Sequence, residues 1–237
     1  MNTQSARILI AENDSEETRL LQHNWLEPSE RVVRSLVETV MATDPDTAEH
    51  LYRVGTYAVW FGQQLGLSPT EVVTLNYGAL LHDIGKSGIS PAILQKREPL
   101  TSVEKRHIEQ HTIIGEYIVQ PLRLGARIAP IIRHHHERWD GRGYPDGLAG
   151  EQIPLGARIV AIVDAFDALT TSHQGLSVLA IPSVITYLQA GAGRRWDAQL
   201  IAAFIQELTQ VPQRAYPERN GKVRAVNDTE SERDSSI

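Results

Sequence analysis

The chain has no cysteine among its 237 residues, which excludes disulfides, thiolate nucleophiles and zinc–thiolate sites together. It also lacks an apolar run of roughly 18 residues, the minimum for a membrane-spanning helix. The N-terminus does not show the basic-then-apolar pattern of a signal peptide, so a cytoplasmic protein is the expectation. Positive charge is in short supply. Against 29 Asp and Glu stand 23 Lys and Arg, a net charge of −6, which disfavours a nucleic-acid polymer or a membrane surface as the main partner. A small phosphorylated ligand stays compatible, because a local cluster of metal or lysine overrules the average. Strand-like alternation and internal repeats are missing too. What remains, 41% apolar and 22% charged, is ordinary for a globular chain long enough to bury a core.

The pattern that is present is helical. Val33, Leu36, Val37 and Val40 recur at i, i+3, i+4, i+7 and mark one apolar face near 30–42, either a bundle-packing face or a homodimer contact. Asp44-Pro45 starts a helix over about 46–65 that Gly66 ends, and Ser68-Pro69 starts the next, running to His82-Asp83. Thr101-Ser-Val-Glu104 resembles a capping box opening a helix over 102–119. Further helices are expected over 124–136, 153–170, 180–190 and 197–209, giving an all-α bundle with one glycine-rich loop. Three domain segments are expected. Residues 1–27 form an N-terminal arm, in which Ala6–Asp14 resembles the first strand of a response-regulator receiver domain, too short to be more than a remnant. Residues 28–210 form the main domain, and the polar 211–237 a disordered tail.

Chemistry concentrates in two places. Residues 134–147 read His-His-His-Glu-Arg-Trp-Asp-Gly-Arg-Gly-Tyr-Pro-Asp-Gly, three adjacent imidazoles entering a tight loop. This suits either metal binding or a histidine-rich surface loop. Residues 82–86, His-Asp-Ile-Gly-Lys, put a charged pair at the end of an apolar helix. Asp164 lies inside Val160-Ala-Ile-Val-Asp-Ala-Phe, where an ionised carboxylate needs a positive neighbour, either Arg158, Arg127 or a metal. His50 lies beside Val54 and Ala58, as a core histidine or a ligand. His107 and His111 share a helix face, and at most two of His134, His135 and His136 can converge. Five histidines and two aspartates spread over several helices describe a nitrogen-and-oxygen cage suited to iron, manganese or zinc. A pair of such ions would generate hydroxide and clamp a phosphate oxygen.

His50 with Arg53-Val54, His82-Asp-Ile-Gly-Lys86, His111 with Gly115, His135-His-Glu-Arg-Trp-Asp-Gly141, Gly143-Tyr-Pro145, Ile153-Pro-Leu155 and Asp164-Ala-Phe-Asp-Ala-Leu169 together resemble the HD-GYP domain, from about Val40 to Leu208. That family is the branch of the HD phosphohydrolases that degrades the second messenger cyclic di-GMP. The resemblance implies a helical bundle holding two divalent ions, iron or manganese, with His50, His82, Asp83, His111, His135, His136 and Asp164 as ligands. Asp83 would bridge the ions, and His107 and His134 would lie outside. Asp46, in a position where trinuclear members carry a glutamate, makes a third metal possible. The implied reaction is in-line attack on phosphorus by a metal-bridging hydroxide, giving pGpG and then GMP. Lys86 would contact a non-bridging oxygen, and Tyr144 would shape the pocket rim.

One departure stands out. Where the family carries an Arg-Pro-Tyr-Arg/Lys run whose cations bind substrate phosphates, this chain reads His173-Gln-Gly-Leu176. His173 can still donate a hydrogen bond; Leu176 cannot. Three readings follow: an active cyclic di-GMP phosphodiesterase, a catalytically weak signalling module binding a nucleotide or protein partner, or a hydrolase of another phosphoester.

Overall fold

A computed structural model describes residues 31–38, 45–171 and 178–210, with side chains in the first long helix from Glu49 onward. The expected receiver remnant, the C-terminal tail, Val40, the Asp46 side chain, His173 and Leu176 lie outside the described residues. In chain order the α-helices are α1 (31–38), α2 (Pro45–Gln64), α3 (Pro69–Leu81), α4 (Pro91–Leu94), α5 (Ser102–Glu109), α6 (His111–Val119), α7 (Gly125–His134), α8 (Leu155–Thr170), α9 (Ile181–Gly191) and α10 (Ala198–Gln210). Short 3-10 turns stand at Ile84–Gly88 and Gly150–Gln152. Among the described residues there is no strand, only the isolated bridges Asp140–Ala149 and Ala192–Trp196. The all-α expectation matches this architecture.

Helix α3 sits between two cores, which explains why it is apolar nearly all round. Leu75 and Ala79 face Val54, Ala58, Phe61, Ile159, Val163 and Phe166 of α2 and α8, where α10 adds Phe204. Val73, Tyr77 and Leu81 face the opposite way, onto Ile128 and Ile132 of α7 and Val33 and Val37 of α1. The repeat of four along each side places one residue per turn on each core. Val33 and Val37 therefore pack inside the bundle.

Capping follows the sequence closely. Ser68 and Thr101 each accept from the amide three residues on, while Glu71 and Glu104 reach back to the cap amides. Asp197 accepts from Gln199 N at the start of α10 and receives Arg158 Nη1 at 2.8 Å. This corrects one expectation: Arg158 belongs to Asp197, not to Asp164. A second correction concerns 102–119, which is two helices broken at Gln110. The His111 ring donates to Ile108 O at 2.7 Å and the Thr112 hydroxyl donates to Glu109 O at 3.1 Å. Side chains competing for main-chain acceptors at the join account for the break.

Candidate metal centre

Three of the imidazoles are oriented by the same local device. His82 caps α3, His111 opens α6 after the break, and His135 caps α7. In each the Nδ1 lies 2.7 Å from the carbonyl oxygen three residues earlier, at Ala79, Ile108 and Ile132. A helix end has such carbonyls to spare. Since a carbonyl only accepts, Nδ1 must carry the hydrogen, and in the neutral ring Nε2 is left with a free lone pair. Each ring thus turns its basic nitrogen away from its own helix.

The lone pairs converge. Asp83, His111, His135 and His136 each offer a ligand atom within 4.8 Å of the others, and His50, His82 and Asp164 do the same. His82 Nε2 stands 3.4 Å from Asp83 Oδ2 and 3.9 Å from Asp164 Oδ1, so the two groups adjoin. His111 Nε2 faces His135 Nε2 at 3.4 Å, two acceptors pointed at each other. Asp83 Oδ1, 3.5 Å from His111 Nε2, is buried and has no hydrogen-bond partner. Such a cluster of acceptors with no hydrogen to share is repulsive unless a cation lies among them. Divalent ions fit it.

Protonation follows the same division. Burial drives His111, His135 and His136 down, the last to about 4, so all three are neutral at physiological pH and able to act as ligands. Burial also opposes charge on His50, but hydrogen bonds to Asp164 and Asp167 outweigh it and lift the group to about 9. Burial would raise Asp164, yet His50 and His82 pull it down to about 2. Asp83, against its own burial, is held well below the usual range by Lys86, His82 and His111. The positive neighbour that Asp164 requires is His50, at 3.2 Å, on the chain as it stands.

Lys86 Nζ lies 2.6 Å from Asp83 Oδ2, with its side chain 40% exposed at the rim. Tyr144 lays its ring 4.9 Å from that of His136, tilted 32°. Burial, with Asp83 next, raises its phenol, which stays protonated and able to donate. The loop that carries it turns at Gly141 and Gly147, both at positive φ near 70°, where a side chain would be strained. The loop is tied down by Glu137, buried, whose Oε1 accepts from Asp146 N and Gly147 N at 2.7 and 3.0 Å. Arg133 adds a two-pronged pair to Asp146 and a further bond to Glu116. His134, Glu137 and Asp146 form a third group of candidate ligands; the loop bonds engage Glu137 Oε1 and both Asp146 oxygens, while Glu137 Oε2 and His134 Nδ1 are buried without a hydrogen-bond partner. His107 is exposed on α5.

Sequence reasoning named His50 and Asp164 but gave no role to Asp167, which is fully buried and accepts from His50 at 2.7 Å. The available signal was its place three residues after Asp164 in an otherwise apolar run. Glu137 was likewise quoted without a role; its position next to the histidine run was the only hint.

Residues 29–200 match the model of the HD domain family. The chain is 37% identical over 204 residues to the cyclic di-GMP phosphodiesterase response regulator RpfG of Xanthomonas campestris pv. campestris, covering 84% of this chain and 53% of that protein. It is 34% identical over 183 residues to the 3'3'-cGAMP-specific phosphodiesterase 3 of Vibrio cholerae, covering 77% of this chain and 40% of the relative. Among solved structures, a cyclic GMP-AMP specific phosphodiesterase of V. cholerae superimposes with a TM-score of 0.60 at 22% identity, over 77% of this chain and 49% of the other, which speaks to the fold. The chain spans about half the length of the curated relatives it matches. No helix among the described residues is long and apolar enough to cross a membrane.

Proposed function

The chain belongs to the HD-domain family, and from that premise we propose that it is a metal-dependent phosphodiesterase that opens cyclic di-GMP to pGpG and then to GMP. The catalytic domain spans 28–210. The observation that carries the reading is the pair of adjoining donor groups, with Asp83 Oδ1 buried, unpartnered and surrounded by imidazole acceptors. His50, His82 and Asp164 would hold one ion, and His111, His135 and His136 the other, with Asp83 bridging. Iron or manganese suits seven nitrogen and oxygen donors. Bound ions supply Lewis acidity at a phosphate oxygen and a water of lowered pKa.

The chain's own residues do the rest. The carbonyl-anchored rings of His82, His111 and His135 keep their ligand nitrogens aimed without reorganisation. Lys86, at the rim, turns its ammonium to a non-bridging phosphate oxygen and offsets charge that builds there. Tyr144, packed on His136, borders the pocket with a neutral phenol. His173 and Asp46 stand as a candidate phosphate donor and a candidate third-metal ligand.

Replacement of the family's basic pair by His173 and Leu176 favours a second reading, a module that binds a cyclic nucleotide or a protein partner with little turnover. Metal-free protein loaded with iron(II) or manganese(II) and given cyclic di-GMP or 3'3'-cGAMP separates them. Formation of pGpG or GMP supports hydrolysis. Calorimetric binding of either nucleotide with no product under both metals supports the second reading.

A further inference from the structure

We propose that Asp167 is the positioning residue for His50: its carboxylate fixes which imidazole nitrogen, Nε2, faces the Asp164–His82 group. The inference rests on the two-metal reading above.

His50 differs from three other imidazoles of the centre in what holds it. Those of His82, His111 and His135 are aimed by main-chain carbonyls of their own helices, which no side-chain substitution removes. His50, in the second turn of α2 and away from its C-terminal end, has no spare helical carbonyl to bond. Its Nδ1 instead lies 2.7 Å from Asp167 Oδ2, across the gap to α8, which leaves Nε2 directed at Asp164 Oδ1, 3.2 Å away. Asp167 is itself anchored. Arg53, one turn along from His50, donates Nε to Oδ1 at 2.7 Å and Nη2 to Oδ2 at 3.0 Å, and Thr171 Oγ1 donates to Oδ1 at 3.3 Å. The Asp167 side chain is 1% exposed and that of Arg53 13%, so the fork is shielded from water. A carboxylate so fixed offers one acceptor direction to His50. It selects the tautomer with hydrogen on Nδ1, and the neutral ring then presents a lone pair to the ion.

A plain clamp between α2 and α8 would use the same contacts, so the test must distinguish fold from orientation. The probe is manganese(II), titrated into chelator-stripped protein and counted by its electron paramagnetic resonance signal, with helix content and melting followed by circular dichroism. Wild type takes up two ions. Asp167→Ala keeps the ion of the Asp83, His111, His135 and His136 group and weakens the other about 10- to 100-fold. Asp167→Asn, which fills the same space but has one acceptor oxygen for the donors of His50 and Arg53, weakens the same ion and carries the test if the alanine variant does not fold. His50→Ala loses that ion outright, and adding Asp167→Ala to it changes the remaining ion's affinity no further. Two ions at wild-type affinity in the folded Asp167 variants overturn the proposal. So does loss of the second group's ion in the double variant, which would mark a structural clamp. Wild-type protein that binds fewer than two ions sinks the two-metal reading instead.

Discussion

Gly85 is where the fold brings His82-Asp83 against His111, and replacing it with alanine tests whether that approach builds the centre. A Cβ on Gly85 would lie 2.5 Å from the Gly115 amide nitrogen and closer still to the His111 carbonyl oxygen. Both obstacles are main-chain atoms of α6, so no rotamer change relieves them. Reaching even ordinary contact with the His111 oxygen requires the 84–88 turn and α6 to part by about 1.6 Å. Overpacking of this kind costs about 1–3 kcal/mol, which at a urea dependence of about 2 kcal/mol per molar lowers the unfolding midpoint by about 1 M. The chemical effect is larger. Asp83 Oδ1 and His111 Nε2 are 3.5 Å apart, and a metal site tolerates ligand shifts of only about 0.2 Å. Gly85→Ala is therefore expected to lose the ion of the Asp83 group while keeping a helical circular dichroism spectrum. Gly88→Ala is the control: its Cβ meets only the Ile114 side chain, at 3.0 Å, which can turn aside. A Gly85→Ala protein with wild-type midpoint and two bound ions would refute the reasoning.

Other outcomes follow from the same geometry. If Lys86 makes the proposed charge-assisted phosphate contact, Lys86→Ala should lower kcat/KM about 10- to 100-fold with metal content unchanged; an unaltered kcat/KM would remove Lys86 from substrate binding. In metal-free protein His136 titrates near 4 when folded against about 6.5 unfolded, so between those values the unfolded chain binds the extra proton and stability drops by about 3 kcal/mol as pH falls. His50 works in the opposite sense: raised to about 9, its contribution is full below 6.5 and is lost as pH rises through 9. Denaturant midpoints of the chelated protein should thus peak near neutrality; a continued rise from neutrality to pH 9 would contradict the His50 direction, and no loss between pH 6.5 and 4 would contradict the His136 direction. His173→Arg combined with Leu176→Lys should raise kcat/KM for cyclic di-GMP by restoring two phosphate contacts; no gain would show that the cations come from elsewhere.

Much of this protein is written locally. Helix starts at Ser68 and Thr101 announce themselves because a capping box is a four-residue contact, and the all-α class because periodicity needs no partner. The histidine and aspartate motifs give the donor types, and cysteine's absence rules out thiolates, before any fold is known. What the one-dimensional pattern could not assign is pairing. Asp164 sits on the same helix as Arg158, six residues on, yet α8 turns that arginine to Asp197 at the start of α10 and gives Asp164 the imidazole of His50. The break at Gln110 depends on whether His111 and Thr112 spend their hydrogen bonds on the main chain, a choice made by the packing of α6 against the 84–88 turn. Asp167 gains a role only when α2 and α8 close on each other and leave one buried carboxylate for two donors more than a hundred residues away. Residue types and helices are short-range properties that the order of amino acids settles by itself. Which nitrogen faces which oxygen is a property of helix crossings, and only the folded bundle decides it.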